Sequence, residues 1–150
     1  MVDSRQKGAR AETVIRDILR EKTKLNWERV PSSGALDPKH GLKGDLYVPN
    51  EKNYYVIEVK HYKDNHLTSN IITDKDPQLL EWWEQAMRQG RQVDKIPLLI
   101  FKHDRSKVFI AFESIPSVDY RYFFINAKGY NFYVALLEDY LTHEKINFIA

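Results

Sequence analysis

A chain of 150 residues has the length of one domain, and its 43% hydrophobic and 13% aromatic content supplies a core, so wholesale disorder is excluded. Cysteine is absent, which removes disulfides and thiolate metal sites, and no apolar run reaches transmembrane length. The net charge of +2 conceals an asymmetry: residues 1–63 hold 13 Lys/Arg against 9 Asp/Glu, residues 64–150 hold 10 against 12, and a basic first half fits a polyanionic partner.

The first predicted element is a helix from about Ser4 to Lys22. Ala11, Val14, Ile15, Ile18 and Leu19 recur at the spacing of one buried stripe, with Asp3 or Ser4 available as cap. Gly8 falls inside it, where glycine costs about 1 kcal/mol relative to alanine. Either the backbone of a polyanionic partner approaches there or the helix starts later. A short strand "NWERV" stops at Pro31, and a loop "PSSGALDPKHGLKG" follows. Next comes a hairpin: "DLYV", the turn "PNEKN", and "YYVIEVKHY". A polar segment over 63–76 leads to a second helix, expected to open at Asp76-Pro77 with the proline at its first position. Leu79, Trp82, Trp83, Ala86, Met87 and Gly90 keep helical spacing there. "IPLLIF" reads as a strand buried on both faces, "KVFIAF" pairs with it, and the tail reads as one further strand and a short helix. The expectation is a single α/β domain over 1–150: a mixed β-sheet flanked by helices, with a β-α C-terminal tail.

The hairpin carries charges that an apolar ribbon does not need. Glu58 and Lys60 are two residues apart and share a face. Folding the ribbon about its turn sets Val48 against Tyr54 or Tyr55, and Asp45 against Ile57 or Glu58. Two carboxylates and an ammonium therefore gather at one end of two strands. Burying them unpaired costs roughly 1–3 kcal/mol per polar group, and more for a charge. A hard divalent cation held by one or two carboxylates offsets both burial and repulsion. Glu12 leaves the first helix at the margin of its buried face and is a candidate third carboxylate.

The pattern Asp45-x12-Glu58-x-Lys60 resembles the signature of the PD-(D/E)xK nucleases, with "GD" in place of the usual Pro-Asp. "KGARAE", "RVPSSGA" and "EQA" resemble, in order, segments of the archaeal-type Holliday junction resolvases. The resemblance covers about residues 5–112; residues 63–76 and the aromatic tail have no counterpart. It implies a restriction-endonuclease-like fold with an αβββαβ core. It also implies an endodeoxyribonuclease dependent on Mg²⁺, with Mn²⁺ as substitute, leaving 5′-phosphate ends. Glu12, Asp45, Glu58 and the main-chain carbonyl of Val59 would be the metal ligands, and Lys60 would orient a water whose pKa the metal lowers. Gln85 and Ser32 would position the scissile phosphate. Arg5, Lys7, Arg10, Ser33, Lys39, Lys43 and Lys63 are the candidate DNA contacts. A junction has two-fold symmetry, so a homodimer on branched DNA is expected, with no membrane association. The polar N-terminus carries no signal-peptide pattern, and the expected compartment is a bacterial or archaeal cytoplasm, or that of a virus's host.

Plainer readings stand beside these. Asp45, Glu58 and Lys60 could be a cross-strand salt bridge on an exposed edge, and Glu12 a solvated residue near Arg16. The two serines suit a turn before glycine. Gln85 lies in line with Gln78, Gln89 and Gln92 on what could be a solvated face. Trp82 and Trp83 fit core or dimer packing better than base stacking. The rival functions are another nuclease of the same superfamily (restriction, repair or flap-type) and a DNA-binding protein on this fold without turnover.

Overall fold

The structure is a computed structural model that describes residues 4–31 and 42–150, with side chains from residue 8 onward. Helix α1 (Ser4–Thr23) leads to β1 (Glu28–Arg29), β2 (Leu46–Tyr47) and β3 (Tyr55–Tyr62). A helical turn α2 (Asn70–Thr73) precedes α3 (Gln78–Val93), β4 (Ile96–His103) and β5 (Phe109–Phe112). The tail is β6 (Phe123–Ala127), β7 (Tyr130–Leu136) and α4 (Leu137–His143).

Among the described residues the strands form one seven-stranded sheet in the order β1-β2-β3-β4-β5-β7-β6. Only β3 and β4 run parallel, with Glu58 opposite Leu99 and Lys60 opposite Phe101, and the other neighbours are antiparallel. This is the expected mixed sheet flanked by helices, in αβββαβ order. Strand alternation sorts the core into two layers. Ile57, Val59, Leu98 and Ile100 meet Ala11, Ile15 and Leu19 of α1, with Leu137 and Tyr140 of α4. Leu99, Phe101 and Ala111 meet Leu79, Trp82, Trp83 and Ala86 of α3 on the other face. Trp82 and Trp83 are buried, as packing residues.

Several local expectations shift. Val14 is 52% exposed although it keeps the stripe's spacing, because it sits beside a pocket between α1 and the ends of β3 and β4. Helix α1 begins at Ser4, so Gly8 lies inside it and a later start is ruled out; a Cβ added there meets nothing within 4 Å. Helix α3 begins at Gln78, with Pro77 extended (ψ 132°) as the cap residue and no side-chain cap. The polar segment contains α2, whose Ile71 is buried against α3. The tail holds two strands, not one. Lys128 and Gly129 take positive φ (51° and 85°), the conformation a two-residue hairpin demands, and split the aromatic run into β6 and β7. Phe123 and Phe124 on the outermost strand β6 are 56% and 54% exposed.

The C-terminal residues return to the hairpin. Phe148 accepts from Tyr54 N at 3.0 Å, Ala150 N donates to Lys52 O at 3.0 Å, and the Phe148 ring meets Trp27 edge-on at 5.1 Å. The turn between β2 and β3 is closed by Asn53, which is buried. Its Oδ1 accepts from Val48 N and its Nδ2 donates to Val48 O, both at 2.8 Å.

Candidate active site

Strand β2 is only two residues long, so Asp45 precedes it rather than opening it. Leu46 pairs with Ile57, and continuing that register by one residue sets Asp45 beside Glu58. Of the two registers the sequence allowed, this is the one that joins the carboxylates. Asp45 is fixed on three sides. Its N–H donates to Ile57 O at 2.7 Å, its carbonyl accepts from Val30 N at 2.9 Å, and its Oδ2 accepts from Val59 N at 2.7 Å. The carboxylate thus lies in the plane of the sheet, between strands. Gly44 makes this approach possible. It stands at φ +82°, and a Cβ there would lie 2.7 Å from Ile57 O. Proline, fixed near φ −65°, cannot occupy this backbone, which accounts for "GD" here.

Glu58 is 3% exposed and points to the α3 side of the sheet. Burial, and then the neighbouring Asp45, push its carboxyl up to about 8, against the opposing pull of the Lys60 ammonium. Glu12 comes from the α1 side. Burial and then Asp45 raise its pKa as well, while Arg29, whose Nε donates to Glu12 Oε2 at 2.8 Å, pulls it down. Asp45 lies within hydrogen-bonding reach of both glutamates. The acidic groups therefore meet through Asp45, one from each helix layer and one from the sheet. Among the described residues, no three His, Asp or Glu side chains form a ready-made metal cluster.

The donor set still suits a hard cation. A buried carboxyl beside a second carboxyl is driven toward protonation, and a divalent ion relieves both causes with oxygen ligands alone. Asp45 and Glu58 fit that role as they stand. Arg29 holds Oε2 of Glu12, and the second carboxylate oxygen can still serve as a ligand beside them.

The remaining predicted residues divide. Lys60 shares the face of Glu58, and Val59 gives its N–H to Asp45. Gln85 is half-buried on α3, the helix that this face meets. Arg10 is exposed and borders, with Lys60, His61 and Lys102, a pocket of about 110 Å³ floored by Val14, Ile15 and Ile100. Lys43 is half-buried and Lys63 exposed. Ser32, Ser33 and Lys39 lie outside the described residues, as do the side chains of Arg5 and Lys7. The plainer reading set Glu12 near Arg16, but Arg16 bonds Asp17 and approaches Glu28, and Arg29 holds Glu12. Sequence reasoning passed over His61, whose Nε2 lies 2.9 Å from Asp104 Oδ1. Glu12 and Arg29 are 17 residues apart and His61 and Asp104 43 apart, so no local pattern could join them. No helix among the described residues is long and apolar enough to cross a membrane.

The chain is similar to known proteins at the level of sequence. A family model described as "Phage putative PDDEXK endonuclease" matches residues 3–146. Protein D14 of Escherichia phage T5 is 44% identical over 153 residues, which cover 97% of this chain and 96% of that protein. A solved structure of Hjc, a Holliday junction resolvase from the archaeal hyperthermophile Archaeoglobus fulgidus, aligns over 93% of this chain and 92% of that one. Its identity is 20% and its TM-score 0.40, a likeness too loose to carry an argument. With a family model spanning nearly the whole sequence, the chain belongs to the PDDEXK endonuclease family.

Proposed function

We propose that the protein is a divalent-cation-dependent endodeoxyribonuclease that cuts branched DNA, with Mg²⁺ as the working ion and Mn²⁺ as substitute. The observation that carries the reading is the fixed pairing of Asp45 with buried Glu58, Lys60 lying one strand repeat further on the same face. Asp45 and Glu58, with the carbonyl of Val59, would hold the cation, and Glu12 would complete the set through the oxygen that Arg29 does not hold. When bound, the ion supplies a more acidic water and offsets charge on the phosphate and the leaving oxygen. Lys60 orients the attacking water or a phosphate oxygen. Gln85, with Ser32, steadies the scissile phosphate, and the 5′-phosphate stays on the product. Arg5, Lys7, Arg10, Ser33, Lys39, Lys43 and Lys63 carry the flanking backbone, so binding weakens steeply with salt.

What supports a branched substrate is Glu12. The resemblance to archaeal-type resolvases puts a helix glutamate at the metal site, and Glu12 lies within reach of Asp45. Paired cuts across a two-fold junction require a C₂ dimer. The phage origin of the relative fits action in a host cell.

A panel of four-way junctions, flaps, nicked duplexes and linear duplexes, run with Mg²⁺ and with EDTA, tests the reading. The expected result is Mg²⁺-dependent cutting of branched substrates, lost in Asp45→Asn and Lys60→Ala. Preference for linear duplex removes the junction claim. Equal, metal-independent cutting by all three proteins removes the site assignment.

A further inference from the structure

Beyond Lys60 the same face of β3 carries Tyr62, which belongs neither to the carboxylate site nor to the covered core. We propose that Tyr62 is a stacking platform for one nucleobase of the strand whose backbone passes Lys60. The proposal rests on the DNA-cutting reading above and specifies what that site grips. Strand alternation puts Glu58, Lys60 and Tyr62 in a row. Two residues along a strand cover about 7 Å, close to one nucleotide of extended single strand. The base next to the gripped phosphate therefore arrives at Tyr62.

The mounting is what separates this tyrosine from an ordinary exposed side chain, which needs no explanation. Tyr62 is 44% exposed, yet its ring is held from beneath. The Trp82 ring lies 4.9 Å away at 37°, and His66 stands edge-on to both rings, 6.1 Å from Tyr62 and 5.1 Å from Trp82. Trp82 is itself buried and backed by Phe101 at 6.2 Å. The backbone is pinned too, because Tyr62 O accepts from Asp104 N at 3.1 Å. An aromatic face that is rigid before binding loses little freedom when a base stacks on it. Stacking tolerates any base, since each has a π-face, but the base must be free of its helix. Flaps carry unpaired bases, and the open centre of a four-way junction leaves its innermost pairs unstacked on one face, whereas a continuous linear duplex offers neither. The platform thereby gives the site a preference for distorted DNA without reading sequence.

The test uses the full chain, in EDTA so that no cutting is needed. Four-way junctions carry the fluorescent base 2-aminopurine at successive positions around the branch point. The proteins are wild type, Tyr62→Phe and Tyr62→Leu, with circular dichroism to confirm folding. One position is expected to be quenched by wild type and Tyr62→Phe but not by Tyr62→Leu, which should also bind the junction about tenfold more weakly. Replacing that base with an abasic site should weaken wild type and leave Tyr62→Leu unchanged. The same quenching pattern in Tyr62→Leu as in wild type overturns the platform. So does a Tyr62→Leu defect confined to self-association in sedimentation, which would make the ring a subunit contact. Tyr62-dependent quenching in a protein that cuts no DNA with any divalent ion overturns the nuclease reading instead and leaves the platform standing.

Discussion

Alanine at Gly44 and alanine at Gly8 should have opposite effects. At Gly44 the backbone is left-handed and a Cβ meets Ile57 O at 2.7 Å, so Gly44→Ala should cost about 2 kcal/mol or more and move Asp45 off the site. At Gly8 nothing lies within 4 Å, so Gly8→Ala should stabilise α1 by about 0.5–1 kcal/mol. If that glycine admits a DNA backbone, the stabilised variant will bind junctions more weakly; urea unfolding and a filter-binding titration read the two effects separately. Glu58 makes the sharpest pH prediction. Its carboxyl titrates near 8 in the folded protein and near 4.5 when unfolded. Between those values the folded state keeps a proton that the unfolded state has lost. Stability is therefore full below about 4.5 and falls as pH rises through 8. In EDTA the melting temperature should drop across that window. Glu58→Gln should flatten the drop, and added Mg²⁺ should reverse it in wild type only. An identical pH slope in Glu58→Gln would show that the buried carboxyl is not its source.

Among the elements, the β2–β3 hairpin decides most and is least secured by its own ladder. Strand β2 contributes two residues, and the ribbon depends on the Asn53 clamp on Val48 and on Asp45's bond to Val59 N. Asn53→Ala leaves both Val48 polar groups in a buried turn without that partner, at a cost of about 1–3 kcal/mol. Because the clamp sets the register, cutting should suffer in kcat more than in KM; the reverse split would show that the turn serves DNA binding. The sequence displayed this ribbon well. The apolar runs "YYVIEVKHY" and "IPLLIF" each placed an element correctly, since each is a local pattern. The tail misled because aromatic residues on both sides of 125–129 mask its turn. Lys128-Gly129 is a hairpin signal only when both residues take positive φ.

Across the whole molecule, the chain's end reinforces its active half. Phe148 is buried against Trp27 and Tyr55, and the last residues pair with 52–54 at the base of the hairpin. Phe148→Ala should cost about 3 kcal/mol in thermal or urea unfolding, while Mg²⁺-dependent cutting survives well below the new midpoint. Cutting lost at temperatures where circular dichroism shows a folded protein would mean that the tail shapes the site and does not merely brace it. By itself the sequence determined the two amphipathic helices, the central apolar strand, the hairpin, and the placing of Asp45, Glu58 and Lys60 at one end of it. All of these follow from periodicities of two and 3.6 acting within a few residues. Tertiary structure decided which of two registers joined the carboxylates, that Arg29 rather than Arg16 holds Glu12, and that Glu58 and Glu12 come from opposite layers and meet through Asp45. It also decided that Tyr62 ends in a mount of rings from β3, α3 and the segment between them. These are contacts between groups up to dozens of residues apart, and only the packing of helices on both faces of a twisted sheet brings them together.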